Sequence, residues 1–360
     1  MRRALIPVWL VTPSRLANLA QPAARGVVAM LALCVAVAVL VMLSASSDQP
    51  DTAFYAAIVE GVRHGGNYYA VTADALRAGG YPLAPFTAFG LPTLAVIEAA
   101  LPDILVMAML YLLTAAVAVA WHARLQPTLK TQAARATVAL LLFASLAPLL
   151  HPSLAVVPEL WAGLAVALSL AIRRRGRDIE AIAFGLAAAV ICATATLYPI
   201  VMLSFALAEH RRREALGWAA ALIVIASVLA VHAHAVAQVV RPLDEMVFDW
   251  TGWLGVGAAL SATSSVTAFA WLPSWLAAPL IVLALFGWAT WRDPVALRVL
   301  ATIVLTALLL AVFGRENTPH WALLVTPQLL TGLVFVPDGL RDLVHAALDS
   351  RRITVTRIIR

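Results

Sequence analysis

The sequence has 360 residues, of which 62% are hydrophobic and 12% are charged, whereas soluble domains carry about 25% charged residues. A surface that poor in charge cannot face water on all sides, so an ordinary soluble protein is excluded. The net charge of +6 does not indicate a nucleic-acid partner, because the basic residues flank apolar segments, where the topology determinants of membrane proteins lie.

Apolar blocks recur along the chain, and a helix needs roughly 17–25 residues to cross a bilayer. Alanine and leucine fill these blocks without the two-residue alternation of membrane strands, so the blocks predict helices. We therefore expect an all-α fold, a polytopic integral membrane bundle of about ten spans, in a single transmembrane domain that covers residues 1–360. The predicted spans are 26–43, 104–121, 136–150, 158–172, 179–194, 196–208, 215–236, 273–291, 295–313 and 321–336.

The distribution of positive charge tests these predicted spans, because the cytoplasmic loops of membrane proteins are enriched in lysine and arginine. With the N-terminus in the cytoplasm, nearly all of the 25 lysines and arginines fall inside. Those left outside are Arg63, Arg77, Arg241 and Arg315. We expect a multi-pass protein of a bacterial cytoplasmic (inner) membrane with both termini inside. A cleaved signal peptide at 26–43 is disfavoured, since its apolar stretch is too long and the segment before it is long and rich in proline.

Polar residues gather at the expected outer face. Two outer loops, 44–103 and 237–272, are long, and an outer turn at 314–320 is shorter. The cytoplasmic connections, by contrast, are short and basic. Because binding and catalytic residues lie where polar groups gather without a topological reason, we expect the functional site at the outer face.

The first outer loop predicts short helices on the membrane surface. Apolar residues at helical spacing form one stripe over 54–62, and the glycines at 65–66 end this helix. Thr72 is expected to cap a second short helix that ends at Gly79. The segment 91–102 is expected to form a short or half-buried helix and not a complete span.

Short polar motifs stand in this loop and in the last outer turn. An acidic residue follows the first span, before the two surface helices. Further along come Gly66-Asn67-Tyr68-Tyr69, Tyr81-Pro82-Leu83-Ala84-Pro85, Gly314-Arg315-Glu316-Asn317 and His320-Trp321. This order of elements resembles the GT-C superfamily of membrane glycosyltransferases, which use polyprenyl-phosphate-linked sugars. The resemblance covers the first loop and the last turn, and the helices between them match only in being apolar.

The resemblance implies transfer of a sugar from a polyprenyl-phosphate donor to a glycan or lipid acceptor. The acceptor hydroxyl needs a general base, and the resemblance implies Asp51, or else Asp48, in that role. The leaving phosphate needs cations or hydrogen-bond donors. The expected donor-binding and substrate-binding residues are Arg315, His320, Arg63, His64, Arg77, Tyr68, Tyr69 and Tyr81. Since a monosaccharide would separate base from cation, Asp51 and either Arg315 or His320 should face one outer cavity without pairing.

The lipid bilayer is the remaining expected partner, and neither a nucleic acid nor an organic cofactor is expected. A need for a divalent metal stays open. The residues that come nearest to a metal set match no zinc spacing; they are His232, His234, Asp244, Glu245, His151 and Glu159. Cys34 and Cys192 lie inside apolar segments, so they suit small buried side chains better than a disulfide or a metal site.

Each expected site residue has a structural alternative. Asp48 and Asp51 stand three apart, which is also a helix-capping arrangement. Arg63 and Arg77 suit the membrane interface, Arg315 suits an ion pair with the glutamate beside it, and the tyrosines suit an aromatic belt. For the whole chain, the alternatives are a transporter or flippase and a noncatalytic membrane component of envelope glycan assembly.

Overall fold

The computed structural model describes residues 6–45, 52–174, 176, 178–245, 255–314 and 319–349. These residues form helices and no β-strand, which confirms the predicted all-α fold. Short 3₁₀ turns join several of the helices. The α-helices are α1 (Gln21–Leu43), α2 (Thr52–Arg63), α3 (Tyr68–Ala78), α4 (Thr93–Ala100), α5 (Asp103–Leu125), α6 (Gln132–Leu146), α7 (Pro158–Ile172), α8 (Ile179–Ile191), α9 (Leu197–Ala208), α10 (Arg212–Ala237), α11 (Gly255–Ser265), α12 (Ser274–Thr290), α13 (Pro294–Phe313), α14 (Thr326–Leu329) and α15 (Val336–Leu348).

Five helical segments are long and apolar enough to cross a membrane, by length and composition. Many of their large apolar side chains are exposed, as Leu33 and Leu40 are in α1. A continuous aliphatic surface of this kind suits lipid and not water. The chain is therefore a helical membrane protein. The segments are Gln21–Leu43, Asp103–Thr128, Gln132–Leu150, Arg212–Ala237 and Pro294–Phe313.

Helix α7 is buried on every side, from Glu159 to Ala171. It packs against α5 and α8, and its all-round apolar sequence suits such a position. Gly163 lets another part of the backbone come close, because a Cβ added there would lie 2.2 Å from the carbonyl oxygen of Leu323. The turn that precedes α14 is therefore held against α7.

The predicted span at 321–336 does not form one α-helix, and a crossing of the membrane by this segment stays a prediction. Pro319–Leu324 and Leu330–Phe335 form 3₁₀ turns on either side of the short helix α14. Pro327 has no backbone N–H group to donate a helical hydrogen bond. The backbone at Gly332 lies against Gly287 of α12, because a Cβ added at Gly287 would lie 1.9 Å from the Gly332 carbonyl oxygen. Non-helical backbone at membrane depth must be enclosed by protein, and this segment is largely buried. Each of the other predicted spans overlaps a helix.

The first loop contains short helices close to those predicted. Helix α2 ends at Arg63, and Gly65 follows with a φ of +89°, which favours glycine. Helix α3 begins earlier than predicted, so the assignment of Thr72 as its cap was wrong. The cap is Asn67, whose side chain accepts hydrogen bonds from two backbone N–H groups of the first turn. Helix α4 is short, as expected for 91–102.

The first and last described segments of the chain meet at one end of the bundle, which we call the terminal face. There the carboxylate of Asp338 in α15 accepts hydrogen bonds of 2.6–2.8 Å from the backbone N–H groups of Val8, Trp9 and Leu10. The connection after α5 pairs with the same N-terminal segment. The described residues of the terminal face are 6–20, 124–131, 173, 174, 176, 178, 208–212, 289–294 and 336–349.

The opposite end, which we call the loop face, carries the short helices. Thr93 of α4 donates a hydrogen bond of 2.7 Å to the Val190 carbonyl oxygen at the end of α8. Arg77 of α3 likewise donates to the Val239 carbonyl oxygen after α10. These bonds fasten α3 and α4 to the bundle. The described residues of the loop face are 52–102, 147–159, 192–196, 232–245, 314, 319 and 320.

Candidate functional site

Side chains from distant parts of the chain meet at the loop face. The hydroxyl of Tyr55 in α2 lies 3.2 Å from Nε2 of His320, in the turn before α14. The same nitrogen lies 3.7 Å from Oε1 of Glu159, in the first turn of α7. Cys192, which follows α8, donates a hydrogen bond from Sγ to that carboxylate oxygen over 3.5 Å. We call Tyr55, Glu159, Cys192 and His320 the loop-face cluster.

Local sequence positions the cluster. Pro158 begins α7, where its missing N–H group has no helical partner to lose. Glu159 follows in the first turn, where the helix N-terminus favours a carboxylate. Glu159 and Gly163 are four residues apart and so share one face of α7. Because Gly163 admits the carbonyl of Leu323, the turn that carries His320 lies against this face.

The histidine and the glutamate are buried, with 7% of His320 and 6% of Glu159 exposed. Within the described part of the chain, Nδ1 of His320 and Oε2 of Glu159 have no hydrogen-bond partner. An unpaired buried polar group costs about 1–3 kcal/mol, so native proteins usually supply a partner such as a ligand or a water molecule. The cluster therefore has hydrogen-bonding capacity that the described side chains leave unused, as a polar binding site does.

The predicted base and cation, Asp51 or Asp48 and Arg315, lie outside the described residues, so their roles stay predictions. In the sequence, Asp51 directly precedes α2 and stands four residues before Tyr55. Arg315 stands five residues before His320. The contact between Tyr55 and His320 thus joins described parts of the two segments that were expected to converge.

Arg63 and His64 lie at the far end of α2 and do not join the cluster. Nη2 of Arg63 donates to Oδ1 of Asp103 at 2.6 Å and to the carbonyl oxygen of Glu98 at 3.1 Å. These bonds fasten α2 to α4 and to the start of α5. His64 is exposed, and its Nδ1 lies 2.9 Å from the carbonyl oxygen of Glu60. Contact of either residue with a donor stays a prediction.

Arg77 forms a two-pronged ion pair within the loop face. Its Nε and Nη2 donate to the two carboxylate oxygens of Asp244 at 2.8 and 2.7 Å. Nη2 also donates to the Val239 carbonyl oxygen, and Nη1 donates to Asp74. The hydrogen bonds from Arg77 hold the pKa of Asp244 at about 2. The guanidinium therefore fastens α3 to the segment after α10, and binding of a donor phosphate by Arg77 stays a prediction.

The predicted substrate tyrosines belong to an aromatic layer of the loop face. The hydroxyl of Tyr68 donates to a backbone carbonyl oxygen at 2.8 Å, and that of Tyr69 lies 3.1 Å from a histidine of α10. Tyr81 packs edge-to-face on Phe54 at 5.4 Å between ring centroids, and Phe54 packs in the same way on Tyr55 at 5.6 Å. This geometry suits aromatic pairs and connects the layer to the loop-face cluster.

A second buried carboxyl group lies in α4. Glu98 is only 2% exposed, and neither carboxylate oxygen has a hydrogen-bond partner among the described residues. Burial raises the pKa of Glu98 to about 8. Arg63 binds the carbonyl oxygen of this residue and not its carboxylate. The Glu98 side chain is therefore largely neutral at pH values below that pKa.

Sequence patterns place Glu159 only among the residues nearest to a metal set, and they indicate for Cys192 only a small buried side chain. Glu159 belongs to no motif, and the burial of Cys192 equally fits a small apolar residue. The available signal is the place of Glu159, because an ionisable side chain within an apolar segment is costly unless it has a partner. The partner itself, His320, is distant in the sequence and becomes visible only in the fold.

Comparison of the chain with protein-family models, with curated proteins and with solved structures finds no match. In the part of the chain that the structure describes, no group of three or more histidine, cysteine, aspartate and glutamate side chains could hold a metal ion. The described residues of the loop face combine a buried histidine–glutamate pair with an aromatic layer. A histidine can donate hydrogen bonds to an anion, and a carboxylate can accept a proton from a hydroxyl group.

Proposed function

We propose that the protein is a GT-C-like glycosyltransferase of about ten spans that moves a sugar from a polyprenyl-phosphate donor to a glycan or lipid acceptor. One observation carries the proposal: the Tyr55 hydroxyl lies 3.2 Å from Nε2 of His320. This contact links the helix that follows the proposed base to the turn that follows the proposed cation. A capping role for Asp51 does not call for such a link, whereas a shared active site does.

The proposed reaction needs one base and an anion site. Asp51 removes the proton from the acceptor hydroxyl, whose oxygen then forms a bond to the anomeric carbon of the sugar. The bond between that carbon and the phosphate oxygen breaks, and its electron pair leaves with the phosphate. Because the leaving group is already a stable anion, it needs no acid partner. Arg315 and His320 stabilise its charge.

The proposed orientation places the terminal face in the cytoplasm and the loop face outside a bacterial cytoplasmic membrane. It is supported by the positive-inside rule, since among the described residues the terminal face carries more lysines and arginines than the loop face. It is also supported by the hydrogen bonds of Asp338 with residues 8–10, which keep both ends of the described chain together. A reporter fused after Arg360 should therefore be cytoplasmic, and one inserted near Gly79 should be external.

A transporter or flippase is the second candidate, and the interrupted segment around α14 favours it. Discontinuous helices line the substrate sites of many transporters. Gln328 in α14 is fully buried, and within the described residues neither polar atom of its side chain has a hydrogen-bond partner. The transferase is preferred because the loop-face cluster lies at one end of the bundle, where an acceptor outside the membrane has access.

A transfer assay separates these candidates. The purified protein, reconstituted in liposomes, is given a panel of radiolabelled polyprenyl-phosphoryl hexoses and pentoses together with lipid and glycan acceptors. The transferase proposal predicts that label moves from the donor to an acceptor. Movement of the intact donor between leaflets without breakage of its sugar–phosphate bond would favour the flippase. Failure of every donor to react, with a folded protein, would support a noncatalytic component.

A further inference from the structure

We propose that Glu159 is a positioning residue that orients the imidazole of His320 through its Nε2 atom. In this orientation, Nδ1–H of His320 donates a hydrogen bond to the phosphodiester of the polyprenyl-phosphate sugar. The inference rests on the proposed function and adds a residue to it. Glu159 itself does not touch the substrate in this account. It acts through His320, as carboxylates commonly fix the orientation and the tautomer of a histidine.

The first support is the arrangement around one nitrogen. Nε2 of His320 lies 3.2 Å from the Tyr55 hydroxyl and 3.7 Å from Oε1 of Glu159. The longer distance exceeds an ordinary hydrogen bond, so the carboxylate acts there chiefly by charge. In a low-dielectric interior a charge at this distance interacts far more strongly than in water. Both contacts engage the same side of the ring.

The second support is the other ring nitrogen of His320, Nδ1. Nδ1 of His320 is buried and has no hydrogen-bond partner among the described residues. In a protonated imidazole both nitrogens carry a hydrogen. With Nε2–H directed to Glu159 and Tyr55, Nδ1–H is the donor available to a ligand. An anionic phosphodiester is the ligand class that such a donor favours, since charge-assisted hydrogen bonds are about twice as strong as neutral ones.

The third support is the small number of titratable groups that face His320 within the described residues. The turn with His320 packs against α7, α11, α13 and α14. Helices α11 and α14 contain no titratable side chain, and the one charged residue of α13, Arg298, lies toward the terminal face, bound to Glu209. Among the described residues, the titratable groups that face His320 are therefore Tyr55, Glu159 and Cys192, which is held to Glu159.

The test measures binding of a short-chain polyprenyl methyl phosphodiester to the full-length protein in lipid nanodiscs between about pH 5 and about pH 8, the range in which imidazole ordinarily titrates. A phosphodiester keeps a single charge over this range, so a change of affinity comes from the protein. The variants are Glu159→Gln, His320→Gln and the double variant. Glu180→Gln is the matched control, because it removes a carboxylate at an exposed position of α8, outside the loop-face cluster.

For the wild type, we expect affinity to fall about tenfold as the pH rises through this range. Glu159→Gln should change the profile, His320→Gln should abolish the fall, and the double variant should equal His320→Gln, because the two residues act as a unit. Glu180→Gln should keep the wild-type profile. Dimethyl phosphate serves as a competitor that lacks the lipid; it should show the same pH dependence at lower affinity if the phosphate, and not the tail, contacts His320.

A wild-type pH profile in Glu159→Gln would overturn the inference and leave the transferase proposal intact. Absence of phosphodiester binding to the wild type at every pH would overturn both. If Glu159→Gln does not fold, Glu159→Asp replaces it, since the shorter side chain withdraws the carboxylate but keeps its charge. An unchanged profile in that variant would then contradict the positioning role.

Discussion

The hydroxyl of Tyr55 lies 3.2 Å from Nε2 of His320 across 265 positions of the sequence, and the two rings meet edge-to-face. Tyr55 belongs to a short helix after the first span, and His320 belongs to the turn that follows α13. Neither segment needs the other for its own local structure. Their contact is therefore a tertiary feature that sets the shape of the loop face.

Removal of this hydrogen bond should have a measurable effect on stability. Tyr55→Phe keeps the ring and removes the hydroxyl, so we expect the free energy of unfolding to fall by about 1 kcal/mol. The measurement is chemical denaturation in mixed micelles, followed by tryptophan fluorescence. Tyr111→Phe, at an exposed position of α5, is the control and should change little. Equal effects of the two substitutions would argue against the contact.

The close approach at Gly163 makes a sharper prediction. A Cβ there would lie 2.2 Å from the carbonyl oxygen of Leu323 and 2.9 Å from the Cα of Leu324. Gly163→Ala should therefore push the turn away from α7 and cost about 1–3 kcal/mol. Gly26→Ala is the matched control, since a Cβ at Gly26 meets nothing within 4 Å and alanine favours a helix. Gly163→Ala at wild-type stability would show that the turn is not held there.

Glu98 predicts a dependence of stability on pH. Burial raises its pKa from 4.5 to about 8, so the folded state binds the proton more tightly than the unfolded state. Its contribution to stability is fully present below the unfolded pKa and is lost as the pH rises through the folded pKa. At about 1.4 kcal/mol for each pKa unit, the loss is at most about 5 kcal/mol.

The check is the free energy of unfolding of wild type and Glu98→Gln between about pH 5 and about pH 9. The wild type should lose stability as the pH rises, whereas Glu98→Gln should show a flatter profile. Glu60→Gln, at an exposed position of α2, should follow the wild type. A steep profile that persists in Glu98→Gln would assign the effect to another group.

We expect the ion pair of Arg173 and Glu214 to stabilise the folded protein near the terminal face. Nε and Nη2 of Arg173 donate to the two carboxylate oxygens of Glu214 at 2.7 and 2.8 Å, and both side chains are buried. Breaking a buried pair from one side costs about 3–5 kcal/mol, so Glu214→Gln should destabilise the protein by about that amount. Glu180→Gln, at the exposed start of α8, should not. Similar melting temperatures for the two variants would contradict this role.

Much of the helical fold could be predicted, because a helix that faces lipid must have a long apolar sequence. The apolar blocks around α1, α5 and α13 are long and nearly free of charge, so their positions follow from hydropathy alone. The break around α14 could not be predicted in this way. In a hydropathy profile, Pro327 and Gly332 are simply part of an apolar run. The break is stabilised by the close packing of Gly332 against α12, which is a tertiary contact and leaves no local signal in the sequence.

The candidate site was only partly predictable for the same reason. His320 stands out as a polar residue in an outer turn, and Asp51 stands out as an acid after a span. Glu159 does not lie in a polar outer segment of this kind. Its role depends on Gly163 and on the turn with His320, which lies far along the chain. The cap of α3 was misplaced because Asn67 and Thr72 are both good caps, and only backbone geometry decides between them.

The central claim is that Asp51 is the base of a sugar transfer at the loop face. Its most direct test is the initial rate of transfer from a polyprenyl-phosphoryl sugar by Asp51→Asn, with Asp48→Asn as the matched control. The amide keeps the size and much of the capping ability of the aspartate but cannot accept the proton. We predict that Asp51→Asn folds, inserts and loses transfer by at least about 100-fold, while Asp48→Asn stays active. Full activity of Asp51→Asn would contradict the claim, and loss of activity in Asp48→Asn alone would assign the base to Asp48.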